Sequence, residues 1–337
     1  MISKGITMGS GMNLSKLAKL CKVSPSTVSA IFNRNHKKMR ISEDTFNRVI
    51  AIAKKYESDP LVARLLARAQ CSNIVGVIVP DLLNYSFSLY LNELEAIFTS
   101  NNIQLIITCS HYDEKQEISV VTGLLEKKVD ALLVFTSHKT SAFYDKIAAN
   151  IPVVLIDRCF EDSALPYVIT EAKQSSYQFV SEHVPDGSSC FFVGADLWLS
   201  SINDRFLGFS SWAQEHGFDP MAYSFHDDYE SMVGAKLVSQ ILERYPQQEH
   251  YYLFCSSYIV FLGVLSFIKQ QKLSFDKFTL LVFDSLNSLA LIDAQVHYLE
   301  PNYQAIARLS FHLVDKLLDG ETIENTNIVI PAVLGEK

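Results

Sequence analysis

Apolar residues recur at three- and four-residue intervals in the first part of the chain and in short continuous runs after it, and this change of period divides the sequence. Leu14, Leu17, Ala18 and Cys21 make one apolar helical face, and Val28, Ile31 and Phe32 make a second. Val23 fills the turn between them. Ser24 stands at an N-cap and Pro25 at the first helical position, where a missing N–H costs nothing. Ala18 is small enough for the two helices to cross closely. The pattern predicts a helix-turn-helix whose second helix exposes Pro25, Ser26, Ser29 and Asn33, the layout of a helix that enters a DNA major groove. A basic loop, NRNHKKMRIS, follows. Ser42, Glu43 and Asp44 then cap and charge the start of a third helix carrying Phe46, Val49, Ile50 and Ala53 on one face.

From Asn73 the period changes. Continuous apolar runs at 74–79, 103–108, 131–135 and 153–156 alternate with helical stretches near 85–101, 115–128 and 142–150, and a second series has runs at 190–193, 223–225, 251–254 and 280–283. Such runs predict parallel strands covered on both faces, and two series predict two doubly wound lobes. Ligands in such sheets bind beyond the carboxyl ends of the strands. Polar residues gather there: Pro80 to Asn84, Thr136 to His138, Asp157-Arg158, Ser256-Ser257 and Asp284-Ser285. The cleft between the lobes is the expected small-molecule site.

Length and charge support this division. At 337 residues the chain is long for one core and suggests two or three domains. The net charge of −8 hides an asymmetry, since the first 70 residues hold thirteen basic and four acidic residues and the remainder sixteen basic and thirty-three acidic. A basic head on an acidic body suits a partner rich in phosphate. Six cysteines without CxxC spacing read as reduced thiols of a cytoplasmic protein. Residues 1–12 lack the apolar core of a secretory signal and read as an extension, and no apolar run reaches membrane-spanning length. Nucleophile-elbow, phosphate-loop, dinucleotide and zinc-protease motifs are missing, so neither an enzyme nor a metal or cofactor site is expected.

The segments SPSTVSAIFN, VGVIVPD, VDALLVF, IPVVLIDR, DRFLGF and LLVFDS, in this order, resemble the LacI/GalR family of bacterial transcription regulators over residues 13–334. IPVVLIDRCFEDSALPYVIT and the basic connection are similar to its sucrose-operon repressor and fructose repressor subgroup. The resemblance implies an all-α helix-turn-helix headpiece (13–58), a hinge helix (59–72) that folds on the operator, and an α/β core of two doubly wound parallel-sheet lobes like type I periplasmic binding proteins (73–337). Lobe one is expected at 73–171 and 300–324 and lobe two at 172–299 and 325–337, with chain crossings near 170–172, 298–301 and 323–327. It further implies a homodimer on a pseudo-palindromic operator, nucleoid-associated when bound, and no leucine heptads follow to build a tetramer.

Candidate DNA contacts are Ser24, Pro25, Ser26, Thr27, Ser29, Asn33, Lys37, Lys38 and Arg40, with Arg64, Leu66 and Arg68 in the hinge. Lys22 stands where the family usually has glycine, Ala30 where relatives often carry a base-reading side chain, and Ala67 where they carry the minor-groove leucine, leaving that wedge to Leu66. For a sugar or sugar phosphate effector the candidates are Asn84, Tyr85, Phe87, Asp157, Arg158, Arg205, Ser257 and Asp284. Carboxylates there accept pairs of hydroxyls and arginine supplies a planar donor fork. Ser257-Tyr258 and Glu300-Pro301 depart from the commoner family pattern, and the serine favours a fructose-type ligand, free or as its 1-phosphate, or sucrose. A structural alternative makes Asp157–Arg158 and Arg205–Asp284 ion pairs that merely bridge the lobes. Alternatives at the level of function are a global regulator of carbon metabolism, a purine-responsive regulator and a transport-linked sugar-binding protein.

Overall fold

In the computed structural model, which describes residues 12–32, 36, 39–228, 232–284, 294–321 and 323–335, helix α1 (Leu14–Cys21) begins where the Asn13 side chain accepts the Lys16 amide. It ends at Lys22, which turns left-handed at φ 51° and points its N–H back to the Ala18 and Lys19 carbonyls. A side chain in that conformation costs about 1–2 kcal/mol, which the closed cap helps offset. Helix α2 (Pro25–Phe32) starts with Ser24 Oγ accepting the Thr27 N–H at 3.0 Å, and α3 (Glu43–Lys54) with Ser42 accepting from Thr45. Leu17, Val28, Ile31, Phe32 and Val49 are wholly buried at their junction.

Helix α4 (Pro60–Gln70) belongs to the same core. Asp59 Oδ1 accepts the Leu61 and Val62 amides, and Val62 and Leu66, four residues apart, turn into the cluster. The expected hinge is helical here, with its cap and its apolar face both engaged within the headpiece. Two compact units result, residues up to 73 with 314–323, and 74–313 with 324–337.

The second unit contains two sheets of the same design. The first has order β2-β1-β3-β4-β5-β11, all parallel, from β1 (Ile74–Val79), β2 (Gln104–Cys109), β3 (Ala131–Val134), β4 (Val153–Ile156), β5 (Tyr167–Glu171) and β11 (Asn327–Pro331). The second has order β7-β6-β8-β9-β10-β12, from β6 (Cys190–Gly194), β7 (Ser224–His226), β8 (Tyr251–Cys255), β9 (Phe278–Phe283), β10 (Gln295–Glu300) and β12 (Val333–Gly335), with only the last strand antiparallel. Helices α5 (Tyr85–Ser100), α6 (Glu114–Glu126), α7 (Ala142–Ala148) and α12 (Tyr303–Leu318) follow strands of the first series or return to it. Those of the second are α8 (Lys173–His183), α9 (Ser200–Glu215), α10 (Val233–Arg244) and α11 (Tyr258–Gln270). In each sheet the order reverses beside the first strand of its series, which is where doubly wound sheets open a crevice.

The apolar runs become the buried inner strands: every residue of β3, β4 and β9 is buried. The sequence pattern misses β5, β10, β11 and β12. It also misplaces the last crossing. Strand β11 pairs with β5 in the first sheet while β12 pairs with β10 in the second, so the chain crosses at 331–333 and not at 323–327, and residues 327–331 leave the expected second lobe.

Helices α10 and α11 touch through glycine: a methyl on Gly234 would run into the Val260 carbonyl. Gly234→Ala should therefore cost about 1–3 kcal/mol in urea unfolding. Gly123→Ala, within α6 and with open space at the added carbon, should instead gain about 0.5–1 kcal/mol.

Candidate DNA-binding headpiece and effector cleft

In the headpiece Ser24, Pro25, Ser26 and Arg40 are exposed, and Thr27 and Ser29 are half-buried. Ser24 Oγ lies 2.7 Å from Ser26 Oγ and 2.8 Å from Thr27 Oγ1, so three hydroxyls form one cluster at the start of α2. Asn33, Lys37 and Lys38 and the side chains of Arg64 and Arg68 lie outside the described residues. Two positions noted in the sequence are buried. Ala30 is 4% exposed, since it faces inward on α2 between Val28 and Ile31, and offers no surface to a base. Leu66 is 2% exposed and helps build the headpiece core, so in this conformation it is not available as a wedge.

In the second unit, seven of the eight expected effector residues line one small cavity. Asn84 and Phe87 come from the start of α5, Asp157 and Arg158 from the end of β4, Arg205 from α9, Ser257 from the end of β8 and Asp284 from the end of β9. Tyr85 stands across from Tyr258 with ring centres 5.8 Å apart, one ring from each lobe. Asn84 is the N-cap of α5, accepting the Ser86 amide at 3.0 Å, and Phe87 is packed edge-on against Phe135.

Arg205 lies at the middle. Its guanidinium is 3.8 Å from Asp284 Oδ1 and 4.0 Å from Asp157 Oδ1, and it lies 3.8 Å over the Phe283 ring. Asp157 and Asp284 both follow strands and both have positive φ, 67° and 106°. Arg158 reaches Asp157 at 3.6 Å and donates to the Thr136 carbonyl at 2.8 Å. Sequence reasoning missed the hydroxyls that complete the cluster. Ser86 Oγ donates to Asp284 Oδ1 at 3.2 Å and lies 3.1 Å from the Tyr303 hydroxyl, Ser201 Oγ donates to Asp157 Oδ2 at 3.2 Å, and the Tyr90 hydroxyl lies 3.5 Å from Asp157 Oδ1. Ser201, one helical turn before Arg205, is the one that spacing could have found.

The ion-pair alternative and the site reading therefore describe the same atoms. Arg158 Nε, Arg205 Nε and Ser257 Oγ are buried without a hydrogen-bond partner among the described residues. Polar groups so placed are ready to take ligand oxygens. The cavity holds about 20 Å³, room for a water molecule and far below the ~300 Å³ at which small-molecule pockets begin. Through Arg158 it adjoins a larger cavity of about 450 Å³.

A family model described as periplasmic binding proteins and sugar binding domain of LacI family matches residues 72–318. The chain belongs to the LacI family. The sucrose operon repressor of Klebsiella pneumoniae is 27% identical over 96% of this chain and 97% of its own, and the fructose operon regulatory protein of Vibrio cholerae is 28% identical over 88% and 91%. The Cra transcriptional dual regulator from Pseudomonas putida, solved with fructose 1-phosphate, matches with a TM-score of 0.69 at 20% identity, over 79% of this chain and 98% of that one. A LacI family regulator from Silicibacter pomeroyi matches with a TM-score of 0.66 at 20% identity, over 96% and 98%. These structures share the two-lobe fold. Like these relatives, the chain is a transcription regulator of the LacI family and not an enzyme.

Burial pushes the Asp284 carboxyl up to about 6, against the pull of Arg205 and of the Tyr258 N–H. The folded regulator thus keeps a proton that the unfolded chain has lost. The stabilisation linked to that proton is complete below an unfolded value near pH ~4 and is lost as pH rises through about 6. Asp284→Asn should abolish this fall. Melting temperatures measured from pH ~4 to ~7 should show the native chain losing ground to the variant as pH rises, and parallel curves would refute the assignment.

Proposed function

We propose that this LacI family regulator represses a sucrose or fructose utilisation operon and is released from its operator by a fructose-type sugar, free, phosphorylated or within sucrose, bound between the lobes. It acts in the cytoplasm as a homodimer on a pseudo-palindromic site, each headpiece presenting α2 to a major groove. The observation that carries the effector reading is Arg205, buried between Asp157 of the first sheet and Asp284 of the second, with Ser257 and Arg158 beside it. Carboxylates in this position accept paired sugar hydroxyls, and the two arginines suit hydroxyls or a phosphate. The Klebsiella relative is a sucrose operon repressor and the Vibrio relative a fructose operon regulatory protein, which supports this reading.

The cavity of about 20 Å³ supports a coupled exchange. A sugar ring cannot enter while Arg205 spans Asp157 and Asp284, so binding exchanges those ion pairs for bonds to the ligand and changes the relation of the two sheets. A differential of about 1–3 kcal/mol between sites is enough to regulate.

Titration calorimetry and operator-binding anisotropy on the full chain test this. Arg205→Ala should weaken effector binding by about 100-fold, the scale of about 1.5–3 kcal/mol for a charge-assisted contact, and leave operator affinity within about twofold. If circular dichroism shows the Arg205→Ala core unfolded, with Arg205→Lys binding the sugar normally, the arginine is only a structural bridge.

A further inference from the structure

The larger cavity, about 450 Å³, is walled by residues 136 and 138–141 after β3, 158–162 after β4, and 197–200 with 203–204 entering α9, so both lobes contribute. At its inner wall His138 is 9% exposed, stacked on Phe143 at 5.1 Å and met edge-on by Tyr144. Its Nε2 is buried without a hydrogen-bond partner among the described residues, as is Arg158 Nε. At the mouth Trp198 is 41% exposed, with Lys139 Nζ 5.2 Å from its ring centre. Glu161, Asp162 and Asp204 line the remainder, three carboxylates against two cationic side chains.

A part-exposed indole with Lys139 over its ring, beside carboxylates and an unsatisfied imidazole nitrogen, has the chemistry of a seat for an uncharged polyol ring. C–H faces of such a ring lie on the aromatic surface, and its hydroxyls pair with carboxylate and imidazole. A phosphate there would meet three carboxylates with only Lys139 and Arg158 to offset them. We infer that the effector is a two-ring sugar, one ring held at Asp157, Arg205 and Asp284 and the second, uncharged ring in the larger cavity against Trp198, the linkage passing Arg158. This rests on the effector reading proposed above and narrows it from any fructose-type sugar to a disaccharide.

Calorimetry on the full chain with sucrose, maltose, fructose and fructose 1-phosphate provides the test. At least one of the two-ring sugars should bind about tenfold more tightly than fructose or fructose 1-phosphate. Trp198→Ala should lower that affinity about five- to tenfold, the scale of one lost aromatic contact, and leave fructose binding unchanged. Trp198→Phe should retain most of the affinity while abolishing the ligand-induced change in indole emission, since the second tryptophan, Trp212, is 1% exposed. The inference is overturned if fructose or its phosphate binds as tightly as the disaccharides, or if Trp198→Ala weakens all four ligands alike or none of them. Failure of the underlying reading looks different: no sugar binds the native chain, or Arg205→Ala binds the disaccharide undiminished.

Discussion

A guanidinium buried between two carboxylates of different sheets is the constraint on which the second unit depends. Burying one charge costs several kcal/mol unless partners surround it. Arg205 meets that requirement only when the ends of β4 and β9 face each other, with Phe283 beneath it. The backbone is bent to the same end. Asp157 and Asp284 sit at φ 67° and 106°, a region that side chains rarely adopt and that costs about 1–3 kcal/mol per residue. At each strand end this conformation brings the carboxylate to the cavity. Ser86, Ser201 and the Tyr258 amide then satisfy the remaining carboxylate lone pairs, so that two strained residues and one buried charge form a single hydrogen-bonded set.

Such a set is well suited to switching because it is nearly balanced. The attraction within a buried ion pair roughly repays its desolvation, so exchanging it for ligand hydroxyls changes the total little while changing the geometry substantially. A hydrophobic seam between the lobes would not behave this way, since a polar ligand could not replace what it lost. The repeated strand order would make the proposed exchange possible: both crevices open at the carboxyl ends of a reversed sheet, and both therefore present polar loops to the same space.

That repeated plan was largely legible in the sequence, and the exceptions have physical causes. Buried parallel strands such as 131–134 and 278–283 announce themselves as unbroken apolar runs. Strand β10, QVHYLE, is interrupted by polar residues and lacks that signal, whereas β11 and β12 share one apolar stretch, 328–334, whose division at Pro331 between two sheet edges no local pattern announces. Where the chain crosses between sheets is decided by pairing partners, which no local pattern encodes. The charged members of the cleft could be picked out because charge beside a strand end is conspicuous. Ser86 and Tyr303 could not, because a single hydroxyl is common everywhere and gains meaning only from the carboxylate facing it. The burial of Ala30 and Leu66 was hidden for a related reason: on a short helix packed on more than one side, period alone does not tell the buried face from the reading face.

The headpiece shows the same economy of surface. Leu66 and Val62 bury α4 against the other three helices, and Ser24 is committed to the cap and hydroxyl cluster at the start of α2. Among the described residues Ser24, Pro25, Ser26 and Arg40 are the exposed members of the expected DNA-contact set. Few strong base-edge contacts are available from such side chains, whereas the excess of nine positive charges in the first 70 residues acts on any phosphate backbone. Affinity on such a surface is dominated by charge. Sequence discrimination then depends on how rigidly α2 is presented, and the capped, left-handed turn at Lys22 and the buried Val28, Ile31 and Phe32 are what hold it.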